Sequence, residues 1–126
     1  MRLKNFLLVV EDMERAKSFY KELFGLDVMR DFDTNVILAQ GLVLQERKSW
    51  EQAVEEPVSY DGKDTVLYFE EYDLDAFLKK VEGSGWDIHF LNPLKTLENA
   101  QKMLRLTDPD DHVIEIREIK KFDFTT

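Results

Sequence analysis

Asn5-Phe6-Leu7-Leu8-Val9-Val10-Glu11-Asp12 is echoed about 60 residues later by Asp64-Thr65-Val66-Leu67-Tyr68-Phe69-Glu70-Glu71. Both stretches are apolar strands ending in an acidic pair, and both run into an amphipathic helix. In the first half Asp12 is placed as an N-cap, with Glu14 in the first helical turn. Ala16, Phe19, Tyr20, Leu23 and Phe24 follow at helical spacing, and Gly25 stops the helix. Strands are expected near 27–32, 35–40 and 42–47, with Gly41 between the last two. The second half repeats the order. Asp73 caps a helix carrying Leu74, Phe77, Leu78 and Val81, and Gly83 and Gly85 end it. A strand near 86–91 precedes a loop opening at Asn92-Pro93. A hairpin of about 102–107 and 112–118 then turns at Asp108-Pro109-Asp110-Asp111. Each half thus closes on a similar strand, and Gly41-Leu42-Val43-Leu44-Gln45-Glu46-Arg47 matches Asp111-His112-Val113-Ile114-Glu115-Ile116-Arg117.

The order βαβββ-βαβββ predicts an α+β fold: two βαβββ modules forming curved mixed sheets around a shared cleft. Module one covers about 1–48, a linker with Pro57 and Asp61-Gly62 about 49–62, module two about 63–119, and a loosely held tail 120–126. A short helical turn around Trp50–Val54 is compatible with the linker. The 126 residues fit one domain able to bury a sizeable core. With 44% apolar and 34% charged residues, the composition is that of a soluble globular chain, and a cytoplasmic location is the default. No apolar run reaches membrane-span length, and the Phe6–Val10 run is too short for a signal peptide. Without cysteine, disulfide and thiolate chemistry are excluded. The net charge of -9 argues against nucleic acid, whose phosphates need a basic face. It serves solubility, and its field favours cationic or neutral ligands.

Two stretches then resemble a known group. Met1-Arg2-Leu3 through Phe19-Tyr20 to Phe24-Gly25-Leu26 resembles the first half of the glyoxalase I, bleomycin-resistance and extradiol dioxygenase proteins, the vicinal oxygen chelate superfamily. Asp108-Pro109-Asp110-Asp111-His112-Val113-Ile114-Glu115-Ile116 is similar to the closing Asp-Pro-Asp-Gly-His-x-x-Glu hairpin of that group, with Asp111 in the Gly position. The resemblance implies paired modules cupped around an active site. It implies a divalent metal held by one residue from the first and one from the last strand of each module. By the repeat, those residues are Asn5, Gln45, Asp64 and Glu115. Enzymes of the group usually carry His or Glu there, and of the four only Glu115 keeps that type. The resemblance also implies a homodimer.

As chemistry, this quartet offers mainly oxygen, whereas catalytic zinc sites draw on nitrogen or sulfur as well. It suits a weakly bound hard cation such as Mg²⁺ or Mn²⁺, or no metal at all. His112 and Glu115, three apart on a strand, face opposite sides. Glu115 shares its face with Val113 and Arg117; Ile114 and Ile116 belong under a helix. His89 is expected mid-strand in a structural role. Arg47 lies on the face of Gln45 and Arg117 on that of Glu115. Both are placed to pair with cleft carboxylates, to hold an anionic ligand group, or to end their strands in solvent. Tyr68 lines the cleft, and Trp50 and Trp86 are candidate stacking or core surfaces. There is no Gly-rich phosphate loop and no nucleophile-elbow context for any serine.

Three functions follow. The first is a small-molecule-binding protein using Asn5, Gln45, Arg47, Asp64, Tyr68, Glu115 and Arg117 without the usual His/Glu metal site. The second is a divalent-metal-dependent lyase, isomerase or dioxygenase, with Glu115 as ligand or catalytic base. The third is a structural or regulatory module with a vestigial cleft.

Overall fold

The computed structural model describes residues 1–59 and 63–120. The chain divides into two compact units that part near residue 60. In the first, β1 (Phe6–Val10) leads into α1 (Met13–Phe24), then β2 (Val28–Asp31), β3 (Asn35–Leu38), a single 3-10 turn at Ala39–Gly41 and β4 (Leu42–Glu46). A second helix, α2 (Arg47–Val54), closes the unit. The other unit runs β5 (Val66–Glu71), α3 (Leu74–Ser84), β6 (Phe90–Thr96), β7 (Lys102–Thr107) and β8 (Val113–Glu118). Each unit holds one four-stranded mixed sheet, ordered β1-β4-β3-β2 and β5-β8-β7-β6. The outer pairs β1·β4 and β5·β8 are parallel and the rest antiparallel. The α+β class and the two similar modules are as expected.

Helices α1 and α3 start and stop where the sequence places them. The Asp12 carboxylate accepts from the Arg15 backbone N–H at 3.0 Å, and Asp73 does the same for Ala76. Gly25 sits in the left-handed region at φ 68°, sending its N–H to Lys21 while Leu26 bonds back to Tyr20. Ala16, Phe19, Tyr20 and Leu23 bury one helical stripe. Phe19 and Tyr20 have no exposed surface, worth about 2–3 kcal/mol each in transfer from water. In the second unit Leu74, Phe77 and Val81 form the equivalent stripe.

Three boundaries differ from expectation. Residues 49–54, assigned to the linker, belong to α2. The strand near 86–91 instead starts at Phe90 and runs through Asn92-Pro93 to Thr96. Pro93 is tolerated because β6 is an edge strand whose pairing is interrupted between Asn92 and Lys95. His89, expected mid-strand, is exposed just before β6 and lends its carbonyl to the Thr107 N–H. The linker's Asp61-Gly62 and tail residues 121–126 lie outside the described residues.

Candidate functional site

Strand pairing fixes which residues of the two modules are equivalent. β2 and β3 pair with a bulge between Val28 and Arg30, and β6 and β7 carry the same irregularity between Phe90 and Asn92. Ala39 N–H bonds to the Asp27 carbonyl, as Thr107 N–H does to His89. With Asp12 matched to Asp73, these anchors align Leu7 with Tyr68, Val43 with Glu115, Ile37 with Arg105 and Arg30 with Asn92.

This alignment corrects the one drawn from sequence. Gln45 is the counterpart of Arg117, and Asn5 that of Val66. The slip is two residues, and its cause is physical. Side chains on a strand alternate with period two, so a two-residue slip superposes the same apolar pattern. Two landmarks favoured the wrong choice. Glu11-Asp12 resembles Glu70-Glu71, although the cap is Asp73. Gly41 and Asp111 both take positive φ, at 84° and 67°, but in hairpins of different length.

In each module one row of paired residues crosses the whole sheet. In the first it reads Leu7, Val43, Ile37 and Arg30. In the second it reads Tyr68, Glu115, Arg105 and Asn92. Paired residues point to the same side, so the second row is a polar band. The opposite face holds Leu104, Leu106, Ile114 and Ile116, all buried on the helix side.

The band is tied together by hydrogen bonds. Glu115, only 8% exposed, accepts from Arg105 Nε at 2.7 Å on one oxygen and from Arg117 Nε at 2.9 Å on the other. Arg105 Nη1 donates to Asn92 at 2.8 Å, and Arg117 Nη1 to Gln101 at 3.1 Å. The Arg117 guanidinium also lies 5.8 Å from the Tyr68 ring centroid, within cation–π range. Burial pushes the Glu115 carboxyl up. The hydrogen bonds and charges of Arg105 and then Arg117 outweigh it and hold the group below its ordinary range. Arg105 and Asn92 escaped the sequence reading. Only the β6·β7·β8 register shows them beside Glu115.

The other candidates lie in different surroundings. Gln45 has both amide ends engaged: Oε1 accepts from Asn35 at 2.7 Å and Nε2 donates to Ser49. Arg47 opens α2, donates two bonds to Glu11 and one to Glu51 at 2.7 Å, and thereby lowers the Glu11 carboxyl. Asn5 is half-buried just ahead of β1, and Asp64 is exposed ahead of β5.

The family's metal can be tested against these donors. Both Glu115 oxygens already serve guanidiniums. The symmetry mates of Glu115 and Asn5 are Val43 and Val66, which have no donor atom. The residues present do not fit the group. A second cluster, Asp108, Asp110 and His112, has ligand-type atoms within 4.8 Å of one another. There Asp108 Oδ1 accepts from the Asp110 and His112 backbone N–H groups, both at 2.9 Å. Its Oδ2 lies 2.7 Å from His112 Nδ1. This is the hydrogen bonding that closes the β7–β8 turn.

No curated protein matches the sequence significantly. Among solved structures, a protein of unknown function from Agrobacterium tumefaciens str. C58 is 31% identical, with 94% of each chain covered and a TM-score of 0.81. A glyoxalase-related enzyme from Fulvimarina pelagi shares 18% identity over 94% of this chain and 88% of that one, at a TM-score of 0.78. The fosfomycin resistance protein FosX from Mesorhizobium loti shares 14% over 99% and 98%, at 0.69. Residues 3–120 match the Glyoxalase-like domain family, and with that match the chain belongs to this family, within the vicinal oxygen chelate superfamily.

Proposed function

We propose that the protein binds a small molecule with its own side chains, without the divalent metal used by enzymes of its superfamily. The observation that carries this reading is the bracketing of Glu115 by Arg105 and Arg117. A metal taking this carboxylate would have to displace two charge-assisted hydrogen bonds and leave two guanidiniums facing a cation. The same bracketing weakens Glu115 as a general base. A carboxylate held below its ordinary range is a poor proton acceptor at neutral pH. The lactoylglutathione lyase of Agrobacterium tumefaciens shares the fold at 18% identity. It keeps a metal-dependent lyase as the second reading.

Metal analysis separates the two. The full chain, purified without chelator and dialysed against micromolar Mn²⁺, Ni²⁺ or Zn²⁺, is expected to retain only substoichiometric metal. One ion per chain, lost on Glu115→Ala, would overturn the proposal and restore the enzyme reading. We further propose a homodimer, supported by exposed Met29 and Phe32 at and just beyond edge strand β2. Light scattering should give twice the 14.9 kDa chain mass, and a monomer at micromolar concentration would contradict it.

A further inference from the structure

The two arginines that hold Glu115 are not used up by it. Arg105 spends Nε on Glu115 and Nη1 on Asn92, and Arg117 spends Nε on Glu115 and Nη1 on Gln101. Among the described residues, the Nη2 group of each has no hydrogen-bond acceptor. Both side chains reach solvent, at 32% and 26% exposure, whereas the Glu115 side chain between them is at 10%. Glu115 answers only one of the two guanidiniums it bonds, in a chain of net charge -9. The nearby acid on β5 is Glu70, opposite Arg117 in register; it makes no ion pair with Arg117. Beside the guanidiniums lies Tyr68, 55% exposed, an amphipathic ring on a face it shares with Val66, Val113 and Met103.

Guanidiniums with uncommitted N–H groups, held in place by Asn92 and Gln101, are preorganised for a planar oxyanion. We propose that this face of module two takes a small organic carboxylate, received by Nη2 of Arg105 and Arg117, with the apolar body of the molecule against Tyr68. This names the ligand class for the metal-free reading above and rests on it. The whole-chain charge points the other way, towards cations. The local donors decide: the two guanidiniums balance the neighbouring Glu115 and Glu70 and keep uncommitted N–H groups, while more distant acids are screened beyond about 8 Å at physiological salt.

The probe is benzoate, titrated into the full chain in EDTA, with benzamidine as the cationic isostere. Arginine Nε–H signals and the Tyr68 and Glu115 amides are followed by NMR. Saturable shifts of the Arg105 and Arg117 signals are expected at millimolar benzoate, the range open to a ligand this small. Benzamidine should leave them in place. Arg117→Met should weaken benzoate at least 10-fold. Tyr68→Ala, which leaves the Glu115 ion pairs intact, should weaken it several-fold and covers the case in which the arginine variant does not fold. No saturable shift, an equal response to benzamidine, or shifts centred outside this row would overturn the inference while leaving the metal-free reading standing. Benzoate binding that requires added Mn²⁺ or Zn²⁺ would overturn both.

Discussion

A carboxylate with 8% of its surface exposed is costly to ionise unless donors replace the lost water, and Glu115 receives two, from Arg105 and Arg117. Its folded carboxyl titrates below the ordinary value of 4.5. The stability this contributes is therefore present above about pH 4.5 and is lost as pH falls through the depressed value. Glu115→Gln should cost about 2 kcal/mol at pH 7, because the guanidiniums keep a neutral acceptor and lose a charged one. The variant should also lose stability less steeply below pH 4.5. Urea titrations across pH 3–7 test this. If wild type and variant stay parallel through the acid range, Glu115 is not the titrating group. That Glu115 shares a strand face with Arg117 was available from alternation alone. Arg105 was not, since nothing local to Leu104-Arg105-Leu106 says which strand lies beside it.

At the scale of an element, the β7–β8 turn shows how a short sequence fixes a hairpin. Asp108, with its side chain 1% exposed, gathers the Asp110 and His112 N–H groups and the His112 ring. Asp111 then takes φ 67°, a left-handed conformation in which Asp is strained and Gly is not. Asp111 is exposed and its backbone N–H bonds to Asp108 whatever the side chain. Asp111→Gly should therefore stabilise the protein by about 0.5 kcal/mol, the relief exceeding the added freedom of the unfolded chain. Asp108→Ala should destabilise it by about 3 kcal/mol by stranding buried donors. Thermal melts of the two variants should shift in opposite directions, and a shared direction would refute this account of the turn. The caps, helical stripes and this turn were legible because they depend on residues within a few positions of one another. The extension of β6 through Pro93 was not, because a neighbouring strand and an edge position decide it.

Across the whole molecule, the duplicated scaffold is more symmetric than the chemistry it carries. The row Leu7, Val43, Ile37 and Arg30 answers to Tyr68, Glu115, Arg105 and Asn92. Val43→Glu, at a position 5% exposed, puts a carboxylate where no guanidinium waits and should cost about 3 kcal/mol. Adding Ile37→Arg recreates the Arg105–Glu115 arrangement and should recover at least about 1 kcal/mol as a coupling energy in a double-mutant cycle. Additive costs would mean that the two rows are not equivalent. The fold class and family were legible because they rest on element order and two separated motifs. The pairing of residues between halves was not, because the apolar alternation that reveals the repeat cannot register a slip of two.

That blindness has a counterpart in how the halves diverged. Residues 31–36 separate the paired Arg30 and Ile37, and residues 93–104 separate Asn92 and Arg105: six more. Residues 37–43 separate Val36 and Leu44, and residues 105–115 separate Leu104 and Ile116: four more. Both differences are even. An odd change with no bulge to take it up would rotate a strand by half a turn and present Leu104 and Leu106 to solvent, whereas an even one returns every side chain to its own face. Hairpin length in this architecture thus behaves as a parity. Loops can grow in pairs of residues without touching the core, whereas a single extra residue has to be taken up as a bulge, as it is between Val28 and Arg30 and between Phe90 and Asn92.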